Sequence, residues 1–106
     1  MTARFTLADL VDAAAGLSGF SSRELLSRRQ DAYIVTIRRE IAFVAKANGF
    51  GTPSIGKALA RDQSSIISLV RGVGATENTT KLERAAILVA ERRERDFLAK
   101  LESDAA

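Results

Sequence analysis

Glycines and helix-capping residues divide this chain into pieces of helical length, and no stretch alternates long enough to make a convincing strand. Thr6 precedes Leu7, Leu10, Val11 and Ala14, apolar at helical spacing, with Gly16 or Gly19 placed to end that helix. Ser21 with Glu24 three residues later is a capping box, preceded by Phe20, and opens a short helix carrying Leu25 and Leu26 to about Arg29. A longer helix is expected over Ala32 to Ala47, where Ile34, Ile37, Ile41, Val44 and Ala45 form one apolar stripe, stopped by Asn48-Gly49-Phe50-Gly51. Thr52 then serves as a cap, with Pro53 at the first helical position and the helix closing at Leu59. Asp62 caps a further helix with Ile66, Ile67, Leu69 and Val70, ended by Gly72 and Gly74. Thr80 and Glu83 form a second capping box, opening a helix from about Lys81 to Leu101, and Val73 to Thr80 is the only linker-like stretch. The expected fold is all-α: a small bundle of about five helices containing a helix-turn-helix, with a long C-terminal helix. Residues 1–74 are expected to form the helix-turn-helix domain, and residues 75–106 a C-terminal helix that packs on it or mediates dimerisation.

What the chain lacks narrows its chemistry. At 106 residues it is long enough for one compact domain. It has no cysteine and no histidine, which removes disulfides, thiolate metal sites and the commonest general base and metal ligand. No spacing sets up a carboxylate pair or a nucleophile with its base. No catalytic residue, metal, cofactor or small-molecule substrate is therefore expected, and the chain does not read as an enzyme. No apolar run approaches the roughly 20 residues of a membrane span, and Asp9 and Asp12 spoil the N-terminus as a secretory segment. A cytoplasmic, nucleoid-associated location is expected. The net charge of +3 decides little, but its distribution matters. Arg23, Arg28, Arg29, Arg38, Arg39, Lys46, Lys57, Arg61 and Arg71 outnumber the acids between Arg23 and Arg71.

Thr52 to Arg71 has the layout of a helix-turn-helix: a short helix, a tight break at Ala60-Arg61, and a second helix of about ten residues. Such a motif needs small polar side chains at the leading end of its second helix to reach base edges, with apolar residues beyond them anchoring it. Asp62, Gln63, Ser64 and Ser65 stand at that end, and Ile66, Leu69 and Val70 are the anchors. Gln63 has the geometry to pair with adenine N6 and N7, Asp62 to accept from cytosine N4, and the serines to meet a base edge or a phosphate. Arg61, Arg71 and Lys57 are placed for phosphates. The same Asp-Gln-Ser-Ser run is also an ordinary helix start, since Asp and Ser are favoured caps without DNA.

At these residues the chain resembles the C-terminal DNA-binding domain (domain IV) of the bacterial replication initiator DnaA. The resemblance rests on Glu24-Leu25-Leu26-Ser27-Arg28-Arg29, on Arg38 and Ala45-Lys46, on Pro53-Ser54-Ile55-Gly56, and on Arg61-Asp62-Gln63-Ser64-Ser65-Ile66. It covers roughly Thr6 to Val73 in order and nearly in register. It implies that Arg29 reaches into the minor groove from the loop after the Leu-Leu-Ser helix; Arg28 beside it is expected to meet a phosphate as part of the basic surface. It further implies a phosphate role for Lys46 and base reading by Asp62, Gln63, Ser64 and Ser65.

The departures matter too. Gln63 stands where the family has histidine, and the serines replace threonines whose methyls pack on thymine, which implies a changed target. Ala60 stands where the family has two glycines, and Thr36 where many members have arginine. No Gly-x-x-x-x-Gly-Lys-Ser/Thr phosphate loop is present, so nucleotide-driven origin melting is not expected. The expected role is sequence-specific binding of double-stranded DNA in transcriptional regulation or replication control. The alternative is a protein-interaction module, an adaptor or phage-encoded inhibitor of a host replication or transcription protein. In the last segment, Leu82, Ala86, Val89, Phe97 and Leu101 lie near one face, interrupted by Glu91 to Asp96. They either cap the core, with the charged run solvated, or pair with a second copy as a homodimer.

Overall fold

The computed structural model describes residues 4–71 and 74–105, which form six α-helices: α1 (Leu7–Ser18), α2 (Ser22–Leu25), α3 (Ala32–Ala47), α4 (Thr52–Leu59), α5 (Gln63–Arg71) and α6 (Glu77–Ala105). The expected all-α architecture with a long last helix is what the chain adopts. Local hydrogen bonds account for most of the boundaries. Thr6 and Asp9 close a reciprocal capping box on α1, and Ser21 and Glu24 do the same on α2. After α3, the Phe50 N–H returns to the Ala45 carbonyl and the Gly49 N–H to that of Lys46, with Gly49 at φ 90°. This paired exit satisfies the carbonyls that a helix C-terminus leaves open. Gly19 at φ 85° ends α1.

Several boundaries differ from the sequence expectation. Helix α2 stops at Leu25 instead of running to Arg29. The α4 cap is Gly51, so Thr52 lies inside the helix without a capping bond. The α6 box is built four residues earlier than expected, by Thr76 and Thr79, whose hydroxyls accept each other's backbone N–H. Helix α6 therefore starts at Glu77 rather than Lys81, and it runs to Ala105. Glu83 serves elsewhere, accepting from Asn48 Nδ2 at 3.0 Å. Gly72 and Val73 lie outside the described residues.

The core is one cluster. Leu10, Leu25, Ile41, Ile55, Leu59 and Ile66 are sealed from solvent, and Leu82 and Ala86 of α6 belong to the same cluster. Helix α3 is central: α1, α4, α5 and α6 all seat against it. Helix α6 lies along α1 as well, and its residues from Glu91 onward are exposed, extending the molecule to 50 × 29 × 26 Å. Within that charged run Arg93 is not merely solvated. It lies 2.7 Å from the buried Asp9 Oδ1 and 3.5 Å from Asp12 Oδ2, pinning α6 to α1.

One polar group is buried as deeply as the core. Arg38, 1% exposed, donates Nε to the Leu25 carbonyl at 2.7 Å, Nη2 to that of Ser27 at 2.6 Å, and Nη1 to that of Arg29. A helix C-terminus leaves carbonyls open, and this guanidinium takes up that of Leu25 together with two from the loop that follows. Burial pulls the Arg38 pKa down, with nearby Arg61 adding to the effect. Replacing Arg38 with methionine takes the donor from the buried Leu25 carbonyl and the part-buried Arg29 carbonyl, at about 1–3 kcal/mol each, so urea unfolding should show a loss of about 3 kcal/mol. The neighbouring exposed Arg39→Met should cost within about 0.5 kcal/mol. Equal losses would deny the clamp its role.

Candidate nucleic-acid interface

The α4–α5 pair is held by a turn with little tolerance. Ala60 takes the left-handed conformation at φ 55°, and the Arg61 N–H closes onto the Gly56 carbonyl at 2.8 Å. A side chain on Gly56 would place its Cβ 2.7 Å from the Arg61 carbonyl oxygen, so glycine is required there. Ala60, by contrast, carries a Cβ where glycine fits better. Ala60→Gly should raise the urea midpoint by the equivalent of about 1 kcal/mol, whereas Gly56→Ala should lower it.

Helix α5 seats on α3 and α4 through Ile66, with Leu69 and Val70 partly covered. Its leading polar groups Gln63 and Ser64 are exposed, and Ser65 is partly so. One turn on, Ile67 and Ser68 continue the exposed face, and Arg71 ends it. Ile67 is apolar like the anchors Ile66, Leu69 and Val70, yet it faces solvent. The three- and four-residue spacing from Gln63 and Ser64 is the signal that places Ile67 and Ser68 on the outer face instead. An exposed isoleucine there is suited to a thymine methyl.

Asp62 does not present a free carboxylate. Its Oδ1 accepts the Ser65 N–H at 2.7 Å, capping α5. The Ser65 hydroxyl and that N–H hold its pKa below the ordinary carboxylate range. A carboxylate committed to its own helix start is a poorer partner for cytosine than the sequence led one to expect.

The cations divide into free and engaged groups. Arg28, Lys57 and Arg71 are exposed, and Lys46 is exposed with its Nζ 3.4 Å from Thr52 Oγ1. Arg29 is exposed but paired, to Glu24 at 2.8 Å and to Asp31, and its guanidinium lies 5.6 Å over the Phe20 ring. Phe20 in turn packs against Tyr33. Arg61 turns inward: its guanidinium donates to the carbonyls of Ser27 and Ala60, and at 3.5 Å to that of Leu59. The phosphate role expected for Arg61 is thus replaced in this structure by a contact with the Ser27 loop. Among the described residues, no cluster of acids suited to a metal ion occurs, and no helix is long and apolar enough to cross a membrane.

Comparison with known protein families, with curated proteins and with solved structures finds no match for this chain.

The carboxylates around this surface set a pH dependence. The Ser21 N–H lowers the Glu24 pKa, with Arg29 assisting, and Arg29 lowers that of Asp31. Asp62 is lowered as described, while burial raises Glu40. A carboxylate with a depressed folded pKa stabilises the fold above its unfolded value, and that contribution is lost as pH falls through the folded one. Glu40 acts in the opposite sense. With three groups against one, urea midpoints should decline from about pH 5 to about pH 3, across the carboxylate range. Glu24→Gln should flatten the decline, and a variant whose midpoint falls as steeply as the parent's would remove Glu24 from the account.

Proposed function

We propose that this chain is a DnaA domain IV-like, helix-turn-helix protein that binds double-stranded DNA sequence-specifically, without nucleotide hydrolysis. The observation that carries the reading is the outer face of α5. Gln63, Ser64, Ile67 and Ser68 project from a helix anchored by Ile66, and Arg71 closes the face with a cation. A helix entering the major groove needs this division between an exposed front, here mostly polar with Ile67 among it, and a buried apolar back. Arg28, Lys46 and Lys57 supply exposed charge for phosphates. Arg29 enters the minor groove by exchanging its carboxylate partners for DNA. Transcriptional regulation or replication control is the setting such a protein serves.

A second reading, a module for a protein partner, rests on a groove of about 350 Å³ lined by Leu17, Tyr33, Ile37, Glu40 and Leu82, in which Leu17 and Tyr33 are exposed. A salt titration separates the two. A protein using about six phosphate contacts should lose about three orders of magnitude in duplex affinity between 50 and 200 mM salt. Undetectable duplex binding at low salt, with capture of a protein partner, would favour the second reading. Gln63→Ala should change which sequence is selected from a random pool, whereas Arg71→Ala should weaken all sequences alike.

The exposed Phe97, Leu98 and Leu101 of α6 are where a homodimer would form. Two linked modules read a longer site than one. Phe97→Glu should abolish cooperative filling of paired sites while leaving single-site affinity intact; unchanged cooperativity would place the dimer elsewhere or exclude it.

A further inference from the structure

Arg61 lies in the turn before α5, beside groups that the DNA-binding reading places in the groove. Its side chain does not extend with them. One guanidinium nitrogen, Nη2, donates to the Ser27 carbonyl, 34 residues earlier, and Nη1 donates to the Ala60 carbonyl at 3.1 Å. The Ser27 carbonyl already accepts Arg38 Nη2 at 2.6 Å. Two like charges therefore converge on one carbonyl oxygen, an arrangement that must overcome their mutual repulsion.

What hangs from that oxygen explains the convergence. Ser27 lies in the loop between α2 and α3, just after the Leu26 cap. The Arg29 N–H donates to Ser27 Oγ at 3.3 Å, and the Arg29 carbonyl is held by Arg38 Nη1. On the other side, Arg61 is followed directly by Asp62, the cap of α5, and then by Gln63. The Ser27 carbonyl is thus the point where the loop carrying Arg29 meets the leading end of α5. A rigid planar fork spans such a gap between carbonyls, whereas a lysine ammonium meets it as a point charge on a flexible stem.

We propose that Arg61 is a positioning residue: it holds the Ser27–Arg29 loop at a fixed offset from the start of α5, so that minor-groove and major-groove contacts engage together, and it does not neutralise a phosphate. This rests on the DNA-binding reading above. Preorganisation of this kind acts on affinity through geometry, and geometry leaves the number of released counterions unchanged.

The test compares Arg61→Met and Arg61→Lys with the parent protein on one selected duplex across a salt series, alone and combined with Arg29→Ala. The expected result is a loss of about tenfold for both Arg61 variants, the equivalent of about 1.4 kcal/mol. The slope of log affinity against log salt should match the parent's for both. In the Arg29→Ala background, Arg61→Met should cost little further. If Arg61 is instead a phosphate ligand, Lys should bind nearly as well as the parent and Met should lose about 0.9 from the slope. Its loss would then also add to that of Arg29→Ala. Either finding overturns the positioning role while leaving DNA binding in place. Failure of the parent itself to bind duplex DNA at low salt overturns the functional reading and this inference with it. Thermal melts of both variants verify folding, and Arg61→Lys, which keeps the charge, supplies the comparison if Arg61→Met is unstable.

Discussion

The buried guanidinium of Arg38 is the contact around which the candidate interface is organised. Helix α2 is four residues long, too short to hold itself together or to satisfy its own exit. The Leu25 carbonyl at its end is buried against α3, and the carbonyls of Ser27 and Arg29 in the loop that follows lie part-buried beside it. Arg38 fills that role with three donations to three carbonyls. Among the described residues no carboxylate pairs with it directly; the charge is balanced by backbone dipoles at the end of a helix, where a cation is favoured. Only a planar group with several donors in fixed directions makes these bonds together, which distinguishes arginine from lysine at this position.

From this clamp the surface acquires its shape. Leu25 and Ile41 complete the core beneath the loop, and the loop's outer residues, Arg28 and Arg29, remain at the surface. Glu24 and Asp31 hold the Arg29 side chain over Phe20. These exposed pairs are weak individually in water and are screened by salt, so they set a resting orientation rather than lock one. A polyanion offers the same guanidinium a competing set of oxygens.

Helix α6 divides its length between two tasks. Its first half completes the core through Leu82 and Ala86, and Arg93, just past the middle, fastens the helix against Asp9 and Asp12 of α1. Its second half projects with Phe97, Leu98 and Leu101 uncovered. The packing of α6 is on α1 and α3, while α5 packs on α3 and α4, so one central helix carries both the scaffold and the candidate groove-binding element.

Much of this was legible in the residues. The stripes of α1 and α3 and the boxes at Thr6 and Ser21 could be read because their hydrogen bonds join residues three or four apart, and a helix of L-residues fixes that spacing. The exit at Gly49 and the capping of α5 by Asp62 are local in the same way. The α6 start was misread because Thr76-Thr79 and Thr80-Glu83 offer rival boxes in the same few residues. Position 38, four after Ile34 and three before Ile41, lies on the apolar stripe; a cation there was a visible sign of burial, yet it was counted with the basic surface. What the chain alone determined was where helices begin, end and turn their apolar faces, since those follow from short-range geometry. Which arginines face solvent and which bind carbonyls was decided only by tertiary structure. The partners of Arg38 and Arg93, and the Ser27 carbonyl that Arg61 reaches, lie on other elements, and nothing local brings them within reach.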